Sequence, residues 1–341
     1  MRDSRRHGDL ANFSASCTSE RRTVLSVIFE KARMSRLGGN ALAPPGERAT
    51  IANQFRHTRE SLAPIVDLAR EGWRIVIVHG NGPQVGDSLA RNEAAAGEIE
   101  PLPLGVLVAE TAGWIGYMIQ QSLQNALERA HVKRDVVTLI TQTEVAPDDP
   151  MLRVATKPIG HELSEERRAR LAEQRVPMGR DGSGRWRRLT ASPIPIGLVE
   201  APMVRRLVEA GTIVVAAGGG GPPVYRDPIL RLEGVDAVVD KDRAAAILAR
   251  DIGAALLLIL TNVPAVYRDY GTDRATPIRR LTAAEAESLL ASGQCGTGSM
   301  RPKVEAAIAF ARTGGRAVIA ELSEGLAAIR GTTGTTIVAE G

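Results

Sequence analysis

"RIVIVHGNGPQVG" (74–86) decides how this chain is read. Its first half is a nearly unbroken aliphatic run, which suits a strand covered on both faces rather than on one. Its second half is a loop of glycines and small polar residues. The same form returns in "TIVVAAGGGG" (212–221) and "LLLILTN" (256–262), and further apolar runs stand at "DVVTLIT" (135–141) and "AVIAEL" (317–322). Amphipathic segments at 111–131, 241–252 and 302–313 lie between them. Alternation of this kind predicts an α/β fold, a three-layer αβα sandwich around a mostly parallel sheet.

Two regions depart from the alternation. Residues 145–200 are rich in Pro, Gly and Arg, hold one charged helical stretch (162–174), and contain "TKPIG" and "ASPIPIG". They are expected to form a small protruding flap subdomain. Residues 1–36 read as a poorly structured basic extension. At its end stands another glycine loop, "RLGGNALAPPG" (36–46), which a buried strand ought to enter. Either "TVLSVIF" (23–29) supplies that strand, or the weakly apolar "ARMSRL" (32–37) does. The remaining chain divides into an N-terminal lobe (37–211) and a C-terminal lobe (212–341).

Composition narrows the function. With 341 residues, 44% of them hydrophobic, the chain can bury a large core, and no apolar run is long enough to span a membrane. Cys17 and Cys295 are too few for a disulfide framework or a four-ligand zinc site. A soluble cytoplasmic protein is expected. Residues 1–36 carry 8 Lys/Arg against 4 Asp/Glu, which is the whole formal excess of +4. The rest is balanced, and aromatic residues make up only 3%, so nucleic-acid binding is not expected.

Glycine loops at the carboxyl ends of parallel strands allow peptide N–H groups to approach an oxyanion, where helix N-termini also gather. Several such loops in one chain point to phosphate or carboxylate binding. Lysines add a second signal. They are scarce beside arginine, yet Lys157, Lys241 and Lys303 all stand in turn contexts, in "TKPIG", "VVDKDRAAA" and "GSMRPKVEAA". Cations aligned on a migrating phosphoryl group can catalyse its transfer without a Walker-A sequence. Asp240 and Asp242 flank Lys241 at the start of an Ala-rich helix, where Asp also serves as a plain N-cap.

These motifs, with "LGGNAL", "RWRRL", "SPIP", "GGGGPPV" and "LTNVPAVY", resemble carbamate kinase of the amino acid kinase superfamily across about residues 37–341. The resemblance implies a homodimer that moves phosphate reversibly between ATP and carbamate, usually forming ATP from carbamoyl phosphate in arginine breakdown by the deiminase route. It implies carbamate held by Gly38, Gly39, Asn40, Gly80, Asn81 and Gly82 of the N-terminal lobe. Nucleotide would lie on the C-terminal lobe against Gly219, Gly220, Thr261, Tyr267, Tyr270 and Lys303. Lys157, Lys241 and Lys303 match the phosphate-facing lysines, and Asp242 the aspartate that orients them. Mg²⁺ would be held mainly by nucleotide phosphates, with few direct protein ligands and none assigned.

The chemistry suits the residues. Carbamate is already an anion and needs no general base, so His79 reads as structural. Departures from the family pattern are Arg36 where an alanine is usual, "TNVPAVY" for TDVDAVY, Ala191 before Ser192, and His161 for a proline. Two other readings stand beside the first: a kinase for another small acid, and a nucleotide-binding relative without activity.

Overall fold

The apolar runs become neighbouring strands because each alternates its side chains between two hydrophobic layers. The computed structural model describes residues 23–27, 50–294 and 300–340. Its central sheet has eight strands: β1 (Thr23–Val27), β2 (Arg74–Val78), β3 (Val136–Thr138), β4 (Ile213–Val215), β5 (Leu256–Thr261), β6 (Arg280–Thr282), β7 (Arg316–Glu321) and β8 (Thr335–Val338). In space they run β6-β8-β7-β5-β1-β2-β4-β3. Every pairing is parallel except β7 with β8.

Among the described residues, ten α-helices accompany them: α1 (Ile51–Ser61), α2 (Ala63–Arg70), α3 (Gly82–Ala95), α4 (Leu104–Arg129), α5 (Glu165–Glu173), α6 (Ala201–Glu209), α7 (Lys241–Asp251), α8 (Ala283–Ala291), α9 (Met300–Ala311) and α10 (Gly325–Ile329). Ile75, Ile77, Leu256 and Leu258 face one way, into a core with Ile65 and Leu68 of α2 and Ile115 and Ile119 of α4. Val76, Val78, Leu257 and Ile259 face the other way, against Val204 of α6, Leu248 of α7 and Val304 and Ala307 of α9. Each such aliphatic side chain contributes roughly 1.5–3 kcal/mol when fully buried. The expected three-layer αβα sandwich is therefore the fold.

β1 changes the reading of the N-terminus. Thr23–Val27 lies inside the stretch expected to be a poorly structured extension, yet it pairs in parallel with both β5 and β2. Of the two candidate strands, "TVLSVIF" contributes its residues 23–27 to the sheet, while "ARMSRL" lies outside the described residues. The glycine loop at 36–46, with Gly38, Gly39 and Asn40, lies outside the described residues, as do Arg36, Cys17 and Cys295.

The region expected to protrude holds a three-stranded antiparallel sheet of Ala155–Ile159, Trp186–Ala191 and Met178–Arg180, together with α5. A four-stranded sheet (Thr143–Val145, Pro195–Leu198, Pro223–Asp227 and Arg231–Gly234) adjoins it in sequence. Among the described residues, no helix is long and apolar enough to cross a membrane.

Candidate active site

Because β2, β4 and β5 run parallel to β1, the loops that follow β2, β4 and β5 emerge at one end of the sheet. The loop after β2 and the loop after β4 interlock there. Asn81, buried at the N-cap of α3, turns its side chain away from the helix and donates from Nδ2 to Thr111 Oγ1 of α4 at 2.8 Å. The peptide N–H of Gly219 donates to the His79 carbonyl at 2.8 Å. A Cβ on Gly219 would stand 2.1 Å from Asn81 Nδ2, so only glycine lets the loops close on each other. Gly219 and Gly220 also take φ values of +67° and +92°, in the left-handed region. A Cβ on Gly220 would likewise stand 2.5 Å from the Val239 carbonyl oxygen.

His79 is 1% exposed, and its Nδ1 lies 3.1 Å from the Gly80 carbonyl. Burial lowers its pKa from 6.5 to about 4, so the ring is neutral near pH 7. It supports the joint between the two loops, as its position at a strand end implied.

The flap is fastened to the body along two lines. On one, the Gly160 N–H donates to the Gly82 carbonyl at 3.2 Å. A Cβ on Gly86 would lie 1.9 Å from Gly160 Cα, so α3 and the flap meet backbone to backbone. Glu93 of α3 holds Arg188 at 2.8 Å and Arg167 at 2.9 Å, and His161 Nε2 stands 2.9 Å from Asp87 Oδ1. On the other line, the Val238 N–H donates to the Ala191 carbonyl at 3.0 Å. The arginines of "RWRRL" are largely taken up by this fastening. Arg187 bonds the Gly160 carbonyl and Asp181, while Trp186 carries Arg168 and Arg180 near its ring.

Lys157, Lys241 and Lys303 come from three separate elements and converge on two carboxylates. Lys303 of α9 is 1% exposed, and its Nζ lies 3.3 Å from Asp242 Oδ2. Lys241, the first residue of α7, reaches the same oxygen at 3.2 Å. Lys157 crosses from the flap to Asp240 instead, with Nζ 3.0 Å from Oδ2 and 3.3 Å from the Val239 carbonyl. Asp242 therefore orients two of the lysines, and Asp240 takes the third. Burial alone would raise the Asp240 pKa, but Lys157 and Lys241 outweigh it and hold the carboxyl well below the usual range.

Asp240 is the residue the sequence undersold. Its cap signal was visible, whereas its ion pair with a lysine 83 positions away had no local trace. The tyrosines form a feature of their own. Thr261 is buried at the end of β5, and Tyr267 and Tyr270 pair with ring centroids 6.0 Å apart, Tyr270 being exposed.

Such a site can hold and neutralise a phosphoryl group without moving a proton. Among the described residues, no three His, Cys, Asp or Glu side chains converge to cage a metal ion.

The family model described as the amino acid kinase family matches residues 36–321. A carbamate kinase of Pyrococcus horikoshii is 42% identical over 305 residues, covering 88% of this chain and 97% of its own. The carbamate kinase-like protein YqeA of Escherichia coli K12 is 40% identical over 306 residues, covering 88% and 97%. Among solved structures, the carbamate kinase from Giardia lamblia bound to citric acid superposes with a TM-score of 0.84 at 33% identity, covering 94% of this chain and 99% of that one.

Proposed function

This chain belongs to the amino acid kinase family, among the carbamate kinases and their relatives, and from that premise we propose that it transfers phosphate between ATP and carbamate. The observation that carries the reading is the convergence of Lys157, Lys241 and Lys303 at the carboxyl end of a parallel sheet.

In the ATP-forming direction, a β-phosphate oxygen of ADP attacks the phosphorus of carbamoyl phosphate. The bond from phosphorus to the carbamate oxygen breaks, and carbamate leaves as an anion. No proton moves, so no base is required. Lys241 and Lys303 hold the equatorial oxygens of the migrating group, and Asp242 fixes their positions. Lys157 covers the carbamate side from the flap. Peptide groups around Gly80, Asn81 and Gly82, with Gly38, Gly39 and Asn40, seat the carbamate. Gly219 and Gly220 shape the floor between the two substrates, and Thr261, Tyr267 and Tyr270 bound the adenosine. Bound Mg²⁺ supplies further neutralisation of phosphate charge. Asp242 Oδ1, buried without a hydrogen-bond partner, is the acceptor of this carboxylate that would remain available to a water carried by the ion.

ATP formation during arginine breakdown, a cytoplasmic location and a homodimer complete the proposal, on the strength of the family resemblance. The test is coupled detection of ATP made from ADP and carbamoyl phosphate by the purified chain. Absence of ATP above the enzyme-free rate would overturn the reading. A second reading follows from YqeA, which is nearly as similar as the carbamate kinase and carries a -like name. It is a kinase for another small carboxyl-type acid, and ATP consumption across a panel of such acids separates the two.

A further inference from the structure

Asp240 divides its two oxygens between two tasks. Oδ1 accepts from the N–H groups of Asp242 at 2.9 Å and Arg243 at 3.3 Å, which caps the first turn of α7. Oδ2 accepts from Lys157 of the flap at 3.0 Å. One carboxylate thus ties the flap lysine to the turn that carries Lys241 and Asp242. A few residues earlier, the flap is stitched to the same segment through the Ala191 carbonyl and the Val238 N–H at 3.0 Å. An anion is a costly neighbour for phosphate, so its presence calls for a compensating task.

We propose that Asp240 is the positioning residue of the flap: it docks Lys157 beside α7, so that the carbamate-side cation and the phosphoryl-side lysines are set in one geometry. The proposal rests on the phosphotransferase reading given above. The depressed pKa of Asp240 keeps the tie charged throughout the neutral range. A purely electrostatic role predicts the opposite sign. Removing one negative charge from the cluster would then favour anion binding and lower KM for carbamoyl phosphate.

The variant Asp240→Asn separates the roles, because Asn caps a helix about as well as Asp but offers Lys157 no charge. In the full chain, kcat/KM for carbamoyl phosphate is expected to fall on the order of 10–100-fold, mainly through KM, with Tm nearly unchanged. In a Lys157→Ala background, the same substitution should change kcat/KM less than about twofold, as coupled residues do in a double-mutant cycle. Hydrogen exchange gives a readout independent of turnover: amides of 155–159 and 186–191 should exchange faster in Asp240→Asn than in the parent. Wild-type kcat/KM in the variant, a lower KM, a full loss in the Lys157→Ala background, or unchanged flap exchange would each overturn the assignment. A parent chain that makes no ATP but whose flap loosens in the variant would overturn the kinase reading and leave the docking role standing.

Discussion

At the residue scale, the choice of lysine is informative. The chain has 43 basic side chains, of which five are Lys (31, 133, 157, 241 and 303), and three of those five form the cluster. In a sequence that otherwise uses arginine, this fits a need for compact point charges: two ammonium groups can share one Asp242 oxygen where planar guanidinium forks would compete for it. Lys241→Ala or Lys303→Ala is expected to lower kcat about 100-fold, the cost of removing one preorganised charge-stabilising donor. Lys241→Arg should restore little of it. Folded variants with near-parental rates in the ATP-formation assay would remove these residues from the chemistry. His79 supports a different expectation. Its folded pKa of about 4 lies below the ordinary 6.5, so the unfolded chain takes up a proton that the fold refuses. Stability contributed by this site is complete above pH 6.5 and falls as the pH drops toward 4. The full loss is roughly 3 kcal/mol. Urea denaturation of the parent and of His79→Gln at pH 7 and pH 4.5 should show a smaller acid-induced loss in the variant.

At the scale of elements, β1 is the most consequential. A proline at Leu25 removes a ladder N–H from a strand paired on both sides, so Leu25→Pro should cost at least about 1–3 kcal/mol, the penalty of a buried acceptor left unpaired. A thermal melt matching the parent would show that β1 is dispensable. A chain beginning at Met34 lacks the strand altogether and is expected to lose cooperative unfolding. Much of the element pattern was legible. "RIVIV" and "LLLILT" became Arg74–Val78 and Leu256–Thr261 because continuous aliphatic runs have few other places to go, and the charged stretch at 162–174 contains α5. The sheet formed by Thr143–Val145, Pro195–Leu198, Pro223–Asp227 and Arg231–Gly234 was not legible. Its strands are three to five residues long and hold Pro and Gly, so their pairing is set by distant partners rather than by period. The site divides in the same way. Glycine loops and lysines announce themselves by type and context, whereas the tie from Lys157 to Asp240 exists only after folding has closed the distance.

Across the whole molecule, β1 is the seam of the sheet. Every strand on one side of it comes from residues 74–215, and every strand on the other side from residues 256–338. The loops after β2 and β5 keep their spacing only while β1 lies between them. Synthesis meets this arrangement in an awkward order. β1 leaves the ribosome first and finds β2 within about 50 residues, but β5 follows only after about 230. At roughly 5–20 residues per second, its second edge waits on the order of 10–50 s for a partner. During that interval the nascent chain presents an unpaired parallel edge, the kind of surface that invites pairing with another chain. Yield of active protein should therefore depend on translation speed and on holding chaperones more than the stability of the finished fold would indicate.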